Sequence, residues 1–316
     1  MWQPPEHDHK AELRDHLSVE GWREPVAEIC ARHGIADDQL APFATGSDIV
    51  WSAGEWVVKL TAPRWREELA SEARCLNHVA GRLDVATPAV HSTGDLGGWP
   101  YIVMSRVDGV ALATIWPGLG HAERLRMAGE LGRLTRALHT IEPWSEPHDW
   151  VDFWARCTSD VGRRHAVEGV PSELADQVDP LLAQVGTLDD SSRVFLHTEL
   201  LDQHVLVTER DGRFELCALL DFADSRIGPA EYDFAAPVEF IFKGEAGLLR
   251  AFLVAYGTPD HELGPERSES MLAWALCHQF GSLRRMLQVV APARPSSLRE
   301  LAATLYGLQD GKTALR

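Results

Sequence analysis

The chain has 316 residues, 45% of them hydrophobic, enough to bury one large core or two smaller ones, so disorder is not the expectation. A formal net charge of −17 speaks against a nucleic-acid or anionic-membrane partner and favours a cationic ligand, although acidity kept for solubility explains it as readily. Five scattered cysteines without a Cys-x-x-Cys pair predict neither disulfides nor a zinc site, no run of about 18 apolar residues offers a membrane span, and the polar N-terminus has no leader pattern; a cytoplasmic protein is expected.

Trp22 to His33 carries Val26, Ile29 and Cys30 at helical spacing and stops at Gly34, which predicts a short helix. Leu40 to Leu60 reads as three short antiparallel strands, broken by small turns at Ala44 to Asp48 and at Ser52 to Gly54. A helix follows over Arg66 to Leu83, with Leu69, Ala73, Leu76 and Val79 on one face, and then two strands over 88–95 and 99–107. After Gly109 the period becomes helical. Ala122 to Ile141 places Leu125, Ala128, Leu131, Leu134 and Leu138 at spacings of three and four, and more helices are predicted over 171–185, 245–257, 270–290 and 298–308. Among these, residues 205–222 read as a hairpin turning at Asp211-Gly212. The fold class is therefore α+β, a strand-rich lobe over residues 1–105 followed by a helical lobe over 106–316.

Lys59 sits inside the apolar strand "WVVKL", where a lysine taken singly reads as an edge charge facing water. Thirteen residues on, Glu72 neighbours the apolar face of the next helix. A strand Lys paired with a helix Glu is what nucleotide phosphates need, because the Glu fixes the ammonium against their oxygens; Glu67 and Glu68 compete for the role, and a solvated helix charge is the plain alternative. The turn "ATGSD" has a single Gly and is a weak phosphate signal. Two later stretches, "HTELLDQHVLV" and "CALLDFADSRIG", enter and leave the predicted hairpin, which would draw Glu199, His204, Asp221 and Asp224 to one end. Clustered carboxylates suit a divalent metal, and one of them can take the proton of an attacking hydroxyl; a strand-end cap for Asp221 and a core histidine for His204 are the structural alternatives. Trp144, Trp150 and Trp154 read as amphipathic packing in preference to a stacking platform.

The run His197-Thr198-Glu199-Leu200 with His204 five residues after Glu199, and the run Leu220-Asp221-Phe222-Ala223-Asp224 followed by Gly228 to Ala235, carry a resemblance. With "VVKL", "SEARCL", "YIVMSRVDG" and "LGRLTRALH", the chain from Leu40 to Ala255 resembles the aminoglycoside phosphotransferase and choline kinase family, small-molecule relatives of the protein kinases. That family's catalytic loop reads His-Gly-Asp-Leu-x-x-x-Asn and its metal loop Ile-Asp-Phe/Trp-x-Asp. The resemblance implies a protein-kinase-like bilobal fold and transfer of the γ-phosphoryl group of ATP or GTP to a hydroxyl of an aminoglycoside-like antibiotic or other metabolite. It further implies that Gly46 and Ser47 cover the phosphates held by Lys59 with Glu72, and that the backbone of Ser105 and Val107 meets the purine. His197 and Glu199 fall in the catalytic loop, with Glu199 as base; Asp221 binds Mg2+, Asp233 braces the loop, and Asp224, Glu231 and Glu239 contact the acceptor.

Three positions depart from the pattern. Thr198 replaces Gly, Glu199 adds a methylene to the base, and His204 replaces the metal-binding Asn with a softer nitrogen donor that better suits zinc, manganese or other transition ions, so that Mn2+ joins Mg2+ as a candidate. Either one metal site is lost or reshaped, with Asp202 a source of the missing oxygen, or His204 takes another task, such as hydrogen-bonding Glu199 or a phosphate. The alternative function is a catalytically impaired, nucleotide-binding pseudokinase with a regulatory or scaffolding role.

Overall fold

The computed structural model describes residues 19–43, 48–144, 150–185, 193–291 and 293–308, so the turn expected to carry Gly46 and Ser47 lies outside the described residues. The chain divides into two units, one running to Gly109 and taking in Ala218–Ser225, the other formed by Val110–Cys217 and the residues from Arg226 onward.

In the first unit, β-branched and aromatic residues build a five-stranded antiparallel sheet of β1 (Leu40–Pro42), β2 (Ile49–Ala53), β3 (Trp56–Leu60), β4 (Val90–Leu96) and β5 (Trp99–Ser105) in the order β1-β2-β3-β5-β4. Helix α1 (Arg23–Arg32) buries Val26, Ile29 and Cys30 with Trp51, Val58 and Trp99, the face its spacing predicted. Strand β3 is central: Lys59 stands opposite Val50 on one neighbour and Ile102 on the other, and every residue from Val57 to Leu60 is buried. Helix α2 (Arg66–Val79) stops four residues short of the expected Leu83 because Ala80 leaves the helix and Gly81 takes a φ of 68°, a conformation glycine adopts without strain.

The second unit holds β6 (Val110–Ala111), α3 (His121–His139), α4 (Trp150–Thr158), β7 (Arg193–Leu196), β8 (Val205–Arg210), most of β9 (Arg213–Leu219), β10 (Arg226–Pro229), α5 (Ala246–Tyr256), α6 (Pro265–Cys277), α7 (Leu283–Val289) and α8 (Leu298–Leu305). The hairpin turns where expected, with Asp211 and Gly212 both at positive φ, as a two-residue turn requires. Helix α3 packs on α5 so closely that a Cβ on Gly132 would overlap the carbonyl oxygen of Phe252. Trp150, Phe153 and Cys157 of α4 are buried with Tyr232 and Trp274, which is the packing role read from the tryptophans.

Two predicted helices are broken. Residues 171–185 form Ser172–Ala175 and Val178–Val185. Residues 270–290 divide between α6 and α7, because His278 leaves the helix with ψ 142° and Ser282 caps α7 by accepting the N–H of Arg285. The short antiparallel pair β7–β10 was not expected. No helix among the described residues is long and apolar enough to cross a membrane.

Candidate active site

Helical spacing explains why Glu72 and not its neighbours meets the sheet. Leu69, Glu72, Ala73 and Leu76 share the buried face of α2, whereas Glu67 and Glu68 point to water. The Glu72 carboxylate approaches Lys59 Nζ at 2.8 Å, and Asp48 and Asp221 follow at 3.4 and 3.6 Å. Lys59 is thus no edge charge: it is 6% exposed because β3 lies in mid-sheet with both faces covered. Burial opposes its ammonium, but Asp221, Glu72 and Asp48 together hold its pKa well above the ordinary range. Burial likewise pushes the Glu72 carboxyl up to about 7, with Lys59 pulling the other way. Three carboxylates around one buried ammonium leave local negative charge in excess, so the group can accept a further cation.

Asp221 follows β9 with a φ of 64°, which aspartate tolerates, and Asp224 lies half-buried three residues on. At the end of β5, where the purine contact was expected, the Ser105 N–H donates to the Ala89 carbonyl and the Arg106 N–H to that of Glu55, while Val107 is half-buried.

In the second unit β7 delivers His197, Thr198 and Glu199. One carboxylate sets this loop: Asp233 Oδ2 accepts the His197 N–H at 2.9 Å and Oδ1 the Thr198 N–H at 2.6 Å. Burial works against the charge of Asp233, but its bond to His139 Nε2, 2.9 Å away, and the nearby His197 keep its pKa below the usual range. His139 Nδ1 in turn meets the Tyr256 hydroxyl at 3.0 Å, so Asp233, His139 and Tyr256 tie the loop to α3 and α5. The structure thereby gives Asp233 the bracing contacts expected of it.

Thr198 has a φ of 70°, strain of order 1–3 kcal/mol for a side chain other than glycine, and worse for a β-branched one. Glu199 is half-buried, and His204 Nδ1 bonds the Glu199 carbonyl oxygen at 2.9 Å. In the neutral ring that bond puts the proton on Nδ1 and the lone pair on Nε2, the form in which histidine binds metal. That lone-pair nitrogen is a softer donor than a carboxylate or amide oxygen, of the kind that suits Mn2+ better than Mg2+. Burial raises the pKa of Asp202.

A family model described as "Phosphotransferase enzyme family" matches residues 47–267, more than half of the chain and nearly all of these groups. The chain belongs to the phosphotransferase enzyme family. The phosphotransferase shares its fold with wild-type aminoglycoside 2'-phosphotransferase-IIIa in complex with GDP, at a TM-score of 0.65 and 15% identity, over 92% of this chain and 98% of that one. It is also similar to the streptomycin–ATP ternary complex of APH(2")-IIa, with TM-score 0.58, 16% identity and coverage of 90% and 97%. A third similar structure is macrolide 2'-phosphotransferase MphH from Brachybacterium faecium, with TM-score 0.56, 21% identity and coverage of 89% and 98%. At such identities the likeness is one of fold, the protein-kinase-like α+β fold expected from the sequence.

The remaining residues singled out in the phosphotransferase sequence have structural partners. Glu231 pairs with Arg267 at 3.4 Å, and Glu239, only 4% exposed, pairs with Arg285 at 2.8 Å, with burial pushing its carboxyl up to about 7. Sequence reasoning missed Asp48, His139, Tyr256 and His278. Only His139 had a local signal, lying at the end of "LGRLTRALH"; the others meet the site across the fold.

Proposed function

We propose that this phosphotransferase moves the γ-phosphoryl group of ATP or GTP to a hydroxyl of a small molecule, with an aminoglycoside-like or other antibiotic as the first acceptor class to test. The observation that carries the reading is the buried Lys59–Glu72 pair beside Asp221, a costly arrangement with a clear use in holding nucleotide phosphates. Streptomycin, the aminoglycoside bound in one of the similar structures, supplies the acceptor class, and the acidic chain suits a polycation. In this reading the first unit binds nucleotide, and Val107 is left to meet the purine since the Ser105 N–H is already bonded. Asp221 would hold the divalent cation, which when bound neutralises charge developing on the phosphates, and His204 is the other metal ligand to test by mutation. Glu199 accepts the proton of the acceptor hydroxyl, and Asp224, Glu231 and Glu239 are the acceptor-side carboxylates to test.

The test is phosphoryl transfer from ATP and GTP, with Mg2+ and with Mn2+, against a panel of hydroxylated antibiotics and metabolites. Glu199→Ala should lower turnover about 100- to 10,000-fold, the usual contribution of a general base. Turnover unchanged in that variant removes Glu199 from the role. Lys59-dependent nucleotide binding with no acceptor modified would instead leave a nucleotide-binding regulator.

A further inference from the structure

Thr198 holds a left-handed backbone at a position where the family pattern given above has glycine. Its two flanking peptides are fixed from opposite sides. Asp233 Oδ1 takes the Thr198 N–H at 2.6 Å, and the Thr198 carbonyl oxygen lies 3.1 Å from His278 Nε2. His278 is buried, and its Nδ1 accepts the N–H of Phe280 at 3.2 Å, so the neutral ring carries its proton on Nε2 and donates it to Thr198.

The donor itself is immobile. The ring stacks on Tyr232 with centroids 4.3 Å apart, and the Tyr232 hydroxyl accepts the next N–H, that of Gln279, at 3.0 Å. His278 stands at the break between α6 and α7, where a Cβ on Gly281 would overlap the carbonyl oxygen of Ala275, and Arg285 binds the Phe280 carbonyl at 2.6 Å. Fixing an N–H on one side of a residue and a C=O on the other fixes its φ and ψ, and with them the start of the next residue.

We propose that His278 is a positioning residue for the catalytic loop: by clamping the Thr198 carbonyl it holds a threonine in the backbone shape glycine adopts unaided, and so aims the carboxylate of Glu199. The proposal rests on the reading of Glu199 as base. It explains how the loop tolerates threonine, and it makes the break in the predicted helix 270–290 part of the active-site framework.

Four variants test it: His278→Phe keeps the ring and loses the donor, His278→Gln keeps a donor, and Thr198→Gly is made alone and with His278→Phe. His278→Phe is expected to lower kcat about tenfold or more with nucleotide KM within about twofold, while His278→Gln stays within about threefold of the parent. Adding Thr198→Gly should return kcat to within about threefold of the Thr198→Gly protein. A full loss in His278→Phe that Thr198→Gly does not relieve, or no loss at all, overturns the proposal. The same cycle in thermal denaturation separates this from the functional reading: His278→Phe should lower the Tm at least about twice as much with Thr198 as with glycine there. An inactive parent that still shows this coupling sinks the proposed chemistry and keeps the clamp; an active parent without it sinks the clamp alone.

Discussion

Replacing Lys59 with methionine isolates the buried charge cluster. The ammonium lies 2.8 Å from Glu72, with both side chains less than a tenth exposed, and at an effective dielectric of about 20 this contact alone is a gross attraction of about 6 kcal/mol, set against the cost of burying both charges. Without it, Glu72 keeps Asp48 and Asp221 as neighbours and must take up a proton or stay charged without a cation. The sign follows from its carboxyl, which burial already pushes from an ordinary 4.5 up to about 7 with Lys59 present. A carboxyl raised in the folded state contributes stability that is full below its unfolded value and is lost as pH rises to the folded one. In the parent that loss is complete near pH 7; in Lys59→Met the folded value is higher still, so the loss continues. The gap in unfolding free energy should therefore widen by about 1.4 kcal/mol per pH unit above neutrality. Urea denaturation from about pH 6 to 9 reads this directly, and Glu72→Gln added to Lys59→Met should flatten it. Parallel stability curves for parent and Lys59→Met would refute the reasoning.

Gly132→Ala should cost at least about 1–3 kcal/mol, because the new methyl meets the backbone of Phe252, which cannot turn aside as a side chain would; an unchanged Tm would mean that α3 and α5 lie further apart. Acid should weaken the parent through His278. Burial drives its pKa from 6.5 down to about 4, so its contribution is complete above about pH 6.5 and is lost as pH falls toward 4, roughly 3 kcal/mol in all. His278→Gln should lack that part of the acid transition, and identical acid profiles for the two proteins would count against a buried neutral imidazole.

Patterns with a period were legible in the sequence. The strands from Leu40 to Leu60, the hairpin at Asp211-Gly212 and the register that turns Glu72 inward all follow from local alternation, and the spacing of "HTE" and "DFAD" led to the family. Lys59 alone was ambiguous, since one strand does not reveal whether it lies at an edge or in the middle of a sheet; the order β2-β3-β5 decides that. What stayed hidden is contact between distant stretches. His278 sits in a run whose apolar spacing reads as one helix, and its bond to Thr198 spans 80 residues. Asp48 leaves no periodic trace, and the hydrogen bond that engages the Ser105 N–H depends on Ala89, a residue with no polar side chain to advertise it.

The groups that shape the Thr198 backbone have an order of arrival. Asp233 comes 35 residues after Thr198 and His278 80 residues after it, so at a synthesis rate of about 5–20 residues per second the loop waits several seconds or more for its last constraint. During that time β7 and the β8–β9 hairpin can form from residues already made, while the His278 ring that meets the Thr198 carbonyl is still to come. With Glu199 as the proposed base, competence for chemistry would be a late event in the life of the nascent chain, completed when the segment between α6 and α7 docks. A ribosome-bound chain stalled before His278 leaves the exit tunnel should already protect the hairpin from proteolysis and still lack a finished catalytic loop.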